Sequence, residues 1–315
     1  MLTEFYSYEL HNILIVTSTA LFFPISIFGS YVILFKTPPT IRAFKFPFFY
    51  LNSCYQIAIF CVGVLSGIDI TSVASSMCVT YSGFVVAFGR IAVYIEVFIV
   101  FSAMFGVINA VFLSFLCRYF QVCHPKSLYS LYPSWQKAVN VGFLVATTVI
   151  IAVVYAVEVS LYAEERAIPQ EKQITICFGY QIKPWLALGV VYSTASLLLD
   201  YFFICRVLWT MKSQISIMSQ KTKEMQRMLT ITLVISVLIP TVLGGGPIFA
   251  AAFGVITHLD HAEVFFRFLF VACIWQGLLN VTATIFLVRP YRDTLLTGWL
   301  QRLRKFKTMS VASTA

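Results

Sequence analysis

Residues 91 to 118 read "IAVYIEVFIVFSAMFGVINAVFLSFLCR", a run in which Glu96 is the only charge before Arg118 closes it. A helix rises about 1.5 Å per residue and the bilayer's hydrocarbon core is about 30 Å thick, so about 20 such residues cross it. The rest of the chain has the same character. Hydrophobic residues fill 59% of the 315 positions and charged ones 11%, against about a quarter charged in soluble domains. Lipid offers the backbone no hydrogen-bond partners, so runs this long must be helices; a barrel would show alternating strands of about ten residues.

The expected fold is therefore all-α, a seven-transmembrane helix bundle with spans near 12–35, 47–68, 91–117, 136–157, 185–208, 228–256 and 265–288. Residues 1–288 make the membrane domain and 289–315 a tail. The third run is ambiguous in length. Val79 to Cys117 is 39 mostly apolar residues, too many for one span and too few for two with a turn, so "VTYSGFVVAFGR" is expected at the interface or packed on the bundle. The leading "MLTEFYSYELHN" has two glutamates and no Lys or Arg. The run after it is too long for a signal-peptide core and lacks an A-x-A exit, so it is expected to stay as the first span.

Charge orients the bundle. The segments "KTPPTIRAFK", Arg118–Lys137, Arg206–Arg227 and Arg289 to the end hold 17 of the 22 basic residues, all on one side of seven spans. The opposite segments hold nine of the thirteen acids. An external N-terminus and a cytoplasmic C-terminus follow. The net charge of +9 then belongs to a rim facing anionic lipid headgroups, and no nucleic-acid partner is implied.

The eight cysteines form no C-x-x-C and no metal pattern. Cys78 and Cys177 both fall in external loops, where they either form a disulfide or remain two partly buried thiols. The sequon at Asn280 lies inside the seventh span and is read as chance.

Arg118-Tyr119 ends span three on the cytoplasmic side. The arginine either snorkels to the headgroups or does specific work there. The pair occupies the position of the Asp-Arg-Tyr signature of rhodopsin-like receptors, with Cys117 where the acid would be. Four strings widen the resemblance: "GSYVILFKTP" (29–38), "FLCRY" (115–119), "SQKTKEMQRMLTITLVISVLIPTVLGGGP" (219–247) and "RPYR" (289–292). Together, and in this order, they resemble the nematode serpentine chemoreceptors, class H of the Str superfamily. The chain departs from that pattern at Leu116 and Cys117, where an acid and an amide usually precede the arginine, and at Ser236, where a glutamine is common. The resemblance implies a G-protein-coupled receptor in the plasma membrane, in the sensory cilium of chemosensory neurons, whose partners are a small odorant or secreted cue and a heterotrimeric G protein. It implies no cofactor.

The residues give this a mechanism. Pro240 lies about 18 Å into span six and removes a backbone hydrogen bond near mid-membrane; "GGGP" at 244–247 weakens the helix further. Either this is a hinge at the floor of a ligand cavity or a static packing kink. The inner end of span six carries Lys221, Lys223, Glu224 and Arg227, and Glu224 either pairs with Arg118 at rest or belongs to a solvated charge run. Ionisable groups within the membrane are functional candidates by default. Glu96, about 33 Å above Arg118, lies in the outer turns of span three with Tyr94 and Phe98 nearby; it meets a polar or cationic ligand group, or it pairs with Arg90 or Arg267. Asp200, deep in span five, is placed with the switch. After "RPYR", residues 293–306 put Leu295, Leu296, Trp299, Leu300, Leu303 and Phe306 on one face, an amphipathic helix for the inner leaflet.

Other functions compete less well. A transporter would show an internal repeat and paired broken helices, whereas one span is strongly interrupted here, and a seven-span odorant channel has its N-terminus inside. A transporter or ligand-gated channel remains the alternative. An enzyme is not expected: H-E-x-x-H and G-x-S-x-G are missing, and all four histidines sit at or beyond span ends. An opsin needs a lysine in the last span, and 265–288 has none.

Overall fold

The computed structural model describes residues 8–73, 76–164, 173–179, 183–214, 220–247, 250, 253, 262–288 and 291–293. The expected amphipathic helix at 293–306 lies, but for its first residue, outside the described residues, as does most of 248–256.

Seven long helices form: α1 Tyr8–Phe35, α2 Lys45–Phe60, α3 Arg90–Cys123, α4 Pro133–Tyr162, α5 Lys183–Gln214, α6 Gln220–Pro240 and α7 Ala262–Leu287. Each of the seven, α2 and α6 together with the turns that continue them, provides a stretch long and apolar enough to span a bilayer. α3 is the central post, touching α2, α4, α5 and α6, while α1 and α6 both pack on α7. Its burial is correspondingly two-sided: Val93, Glu96, Ala103, Gly106, Asn109, Leu113, Cys117 and Arg118 are all buried. Around the outside, Ile13, Val16 and Ile27 of α1 and Val145, Val149 and Val153 of α4 are exposed, an apolar belt that suits acyl chains rather than water. The interior is a long apolar core through Phe22, Phe48, Tyr55, Val107, Phe115, Leu233, Ile274 and Tyr291.

Two features go beyond plain helices. α2 and α6 each widen into a π-helical turn at one end, Cys61–Leu65 and Thr241–Gly245. The second begins directly after Pro240. Proline lacks the amide that an α-helical bond would use, and the wider turn restores bonding with Gly246 N–H donating to Thr241 O. Gly244 in that turn approaches α7 so closely that a Cβ would lie 2.7 Å from Gln276 Oε1.

The other feature is a small four-stranded antiparallel sheet, β1 Ile68–Val73, β2 Ser76–Tyr81, β3 Ala163–Glu164 and β4 Ile174–Gly179, in the order β1-β2-β4-β3. It resolves the ambiguous third run. Val79–Tyr81 ends a strand, Phe84–Phe88 makes a 3-10 turn, and Gly89, at φ +82°, turns the chain into α3. That φ is costly for any residue with a Cβ. The sheet caps the end of the bundle where α2 and α4 finish; the opposite end carries Arg118.

Candidate functional site

At the Arg118 end, the arginine side chain is 1% exposed. It does not reach outward. Its Nη2 donates to Gln226 O at 3.0 Å and Thr230 Oγ1 at 3.2 Å on α6, and approaches Met211 Sδ of α5 at 3.7 Å. Nε has no partner. Glu224, nearly two turns from Thr230 toward the helix start, is exposed; the guanidinium is engaged by a carbonyl and a hydroxyl instead. Glu224 and Arg227 line an open groove of about 240 Å³ between α6 and α7 with Met228, Ile231 and Leu287.

Cys117, fully buried, faces the other way. Gln136 Nε2 donates to its sulfur at 3.1 Å, and its Sγ lies 3.0 Å from Tyr129 Oη. Tyr129 sits on the one-turn helix Leu128–Leu131, which Ser127 caps by accepting from Ser130 N–H. The Tyr129 hydroxyl donates to Asn140 Oδ1 at 2.8 Å, and burial holds its pKa above the ordinary tyrosine range. Its single proton is therefore committed, so the thiol donates to the phenol oxygen. A neutral cysteine thus serves as acceptor and donor in a dry site where a carboxylate would need compensation. Tyr119 bonds His124 Nε2 at 3.0 Å and packs its ring 5.0 Å from Phe203 of α5.

Two of the distant strings meet here. Tyr291 of "RPYR" is fully buried, and its hydroxyl bonds Thr37 Oγ1 of "GSYVILFKTP" at 2.8 Å. Thr37 itself donates to Ile33 O, so the tyrosine donates. Nothing in either string alone announces this pairing.

Mid-bundle, a polar layer was not legible in the sequence. Asn109 donates to Thr147 Oγ1 of α4 at 3.0 Å and accepts from Tyr192 Oη of α5. Asp200, buried at 2% exposure, lies two turns beyond Tyr192 with Oδ1 unpartnered. On the opposite side, Tyr55 of α2 accepts from Gln276 Nε2 at 2.8 Å, and Gln276 is the residue Gly244 closes upon. Polar residues at i, i+3 and i+4 on apolar helices give a faint signal, but their partners come from other spans.

At the sheet end, Glu96 is 4% exposed and neither carboxylate oxygen has a hydrogen-bond partner. Val93 and Val97 beside it belong to an apolar cluster with Tyr81 and Val79 of β2, against which Tyr94 and Tyr155 pack. Phe98 lies 5.7 Å from the Tyr155 ring. Burial first, and then the Glu96 charge, raise the Tyr81 hydroxyl pKa. Arg267, one possible cation for Glu96, bonds Asp69 of β1 instead, at 2.8 Å. Cys78 is disulfide-bonded, and the residue across from it in the β2–β4 register is Cys177.

Seven membrane-spanning helices around a buried Arg118, with Tyr119 half-buried beside it and a small sheet capping the far end, define the serpentine receptor class. The whole-chain comparison narrows it: residues 3–299 match the family model of the serpentine type 7TM GPCR chemoreceptor Srh. The chain belongs to this family, which is one of multi-pass membrane receptors and not of enzymes. Among curated proteins, none matches the chain significantly. Membership brings a ligand, a G protein and a bilayer as partners of the class.

Proposed function

We propose that this receptor binds a small odorant or secreted cue from outside, through Glu96, Tyr94 and Phe98, and activates a heterotrimeric G protein through Arg118, Tyr119, Asp200, Glu224, Arg227 and Pro240. In this reading the sheet end faces outward, the Arg118 end is cytoplasmic, a Cys78–Cys177 disulfide braces the cap, and the receptor works in the sensory cilium. The observation that carries it is the buried Arg118 link to α6, at 3.0 Å and 3.2 Å. Outward swing of α6 must break both bonds, freeing a guanidinium with five donors at the mouth of a cavity. Above that link, the π turn after Pro240 supplies the place for α6 to bend. A ligand changes the balance only by binding the swung state more tightly than the resting one.

The test is a ligand panel on the surface-expressed receptor with a G-protein readout, run beside a current measurement. Ligand-dependent G-protein activation without current is expected. Current without G-protein activation, at verified surface expression, would establish the channel alternative.

A further inference from the structure

Glu96 presents an unsolved problem in the resting structure. A carboxylate at 4% exposure with neither oxygen partnered costs several kcal/mol unless something compensates it. Three nearby donors are committed elsewhere. Ser66 lies beside it, but its hydroxyl donates to Cys61 O at 2.8 Å, closing the π turn of α2. The Tyr155 hydroxyl donates to Tyr94 O at 3.0 Å. Arg267 is bonded through Nε and Nη2 to Asp69, and Arg90 is exposed at the start of α3. A proton would remove the charge, with the lone pairs of Ser66 Oγ beside it to accept from the carboxyl O–H, and a cation would have to take the place of that proton.

Beside Ser66, the carboxylate has Cys61 and Tyr81 near it. Tyr81 belongs to an apolar cluster with Val93 and Val97 of the same helix as Glu96, Tyr94 and Tyr155 pack against that cluster, and Phe98 backs Tyr155. Ring faces are electron-rich and attract a cation that has shed its water, by about 2 kcal/mol or more when desolvated. A carboxylate without donors, set among such rings, recognises one chemistry: a small organic ammonium.

We infer that the ligand of this receptor is a small protonated amine whose nitrogen pairs with Glu96 among Tyr81, Tyr94 and Tyr155. This rests on the receptor reading above and gives it a ligand class. On binding, the carboxylate gains the donors it lacks. The unpartnered charge is thus held at a cost to the resting fold, as binding groups commonly are.

The experiment uses the full-length receptor purified in detergent, with thermal unfolding followed against butylamine, phenethylamine and trimethylamine, and against butanol, phenethyl alcohol and butyrate. At least one amine is expected to raise the unfolding temperature of the wild type saturably while the neutral and anionic compounds do not. Glu96→Gln should be at least as stable as the wild type without ligand and should lose the amine shift, with apparent affinity down about tenfold to a hundredfold. A Glu96→Gln protein that keeps the amine shift, alcohols that act as well as amines, or no amine shift at millimolar concentration would each overturn the inference. A receptor signalling to neutral odorants equally well with Glu96→Gln overturns the cation site and leaves the receptor reading standing. Amine stabilisation through Glu96 without any G-protein response to the same amines supports the site and removes the receptor reading.

Discussion

Arg118 and Cys117 are neighbours with opposite engagements. The arginine reaches α6, and the cysteine holds the one-turn helix through Tyr129 and α4 through Gln136. A snorkelling arginine would tolerate lysine, because both carry the charge to the headgroups. A guanidinium clasping a carbonyl and a hydroxyl would not, since an ammonium has neither its planar fork nor its reach. Arg118→Lys and Arg118→Ala are therefore expected to reach the surface and bind ligand yet lose most G-protein activation; wild-type signalling by the lysine variant at matched expression would leave Arg118 an anchor only. Thr230→Val tests the resting side of the same contact. It keeps the shape, removes one acceptor from a charged donor worth about 1.5–3 kcal/mol, and should raise ligand-independent signalling about tenfold, measured as basal G-protein turnover per surface receptor. The position of Arg118 was legible because it ends an uncharged run. Its partners were not: a backbone carbonyl and a threonine carry no charge to be matched, and the visible candidate, Glu224, is exposed.

Within α6, the interruption read from Pro240 and the glycines takes the form of a π turn rather than a break. Pro240 keeps helical angles, φ −61° and ψ −36°, and the widening follows over Thr241–Gly245. Pro240→Ala restores an amide, which favours ordinary α-helical bonding and would rotate Gly244 away from Gln276. Agonist efficacy should then fall while surface level holds; a dose–response curve normalised to surface receptor decides this, and unchanged efficacy would reduce the proline to packing. Gly244→Ala acts on the same contact from the other side. Its Cβ would lie 2.7 Å from Gln276 Oε1, and Gln276 is tied to Tyr55 at 2.8 Å, so the variant should lose about 1–3 kcal/mol of stability, with partial rescue by Gln276→Ala in thermal unfolding. The spans themselves were legible because length and apolarity settle each one locally. The sheet was not. Thr80 and Thr175 bond across β2 and β4 at a separation of 95 residues, and strands of six residues or fewer in the connections carry no periodicity that a single loop can reveal.

Across the whole molecule, two independent arguments favour the proposed orientation. The first is charge: 17 of the 22 basic residues fall in segments at the Arg118 end, and basic loops are retained on the cytoplasmic side during insertion. The second is redox chemistry. Cys78 is disulfide-bonded in the sheet at the other end, and disulfides persist outside the reducing cytosol. In the orientation proposed above, the N-terminus is on the sheet side of the membrane and the Arg118 link is on the G-protein side. α3 joins the two, carrying Glu96 and Arg118 about 33 Å apart on one rigid helix. An N-terminal epitope tag should therefore be labelled on intact cells by an impermeant antibody, and a C-terminal tag only after permeabilisation. The reverse pattern would put Glu96 in the cytosol and Arg118 outside, and would end both the ligand assignment and the G-protein assignment at once.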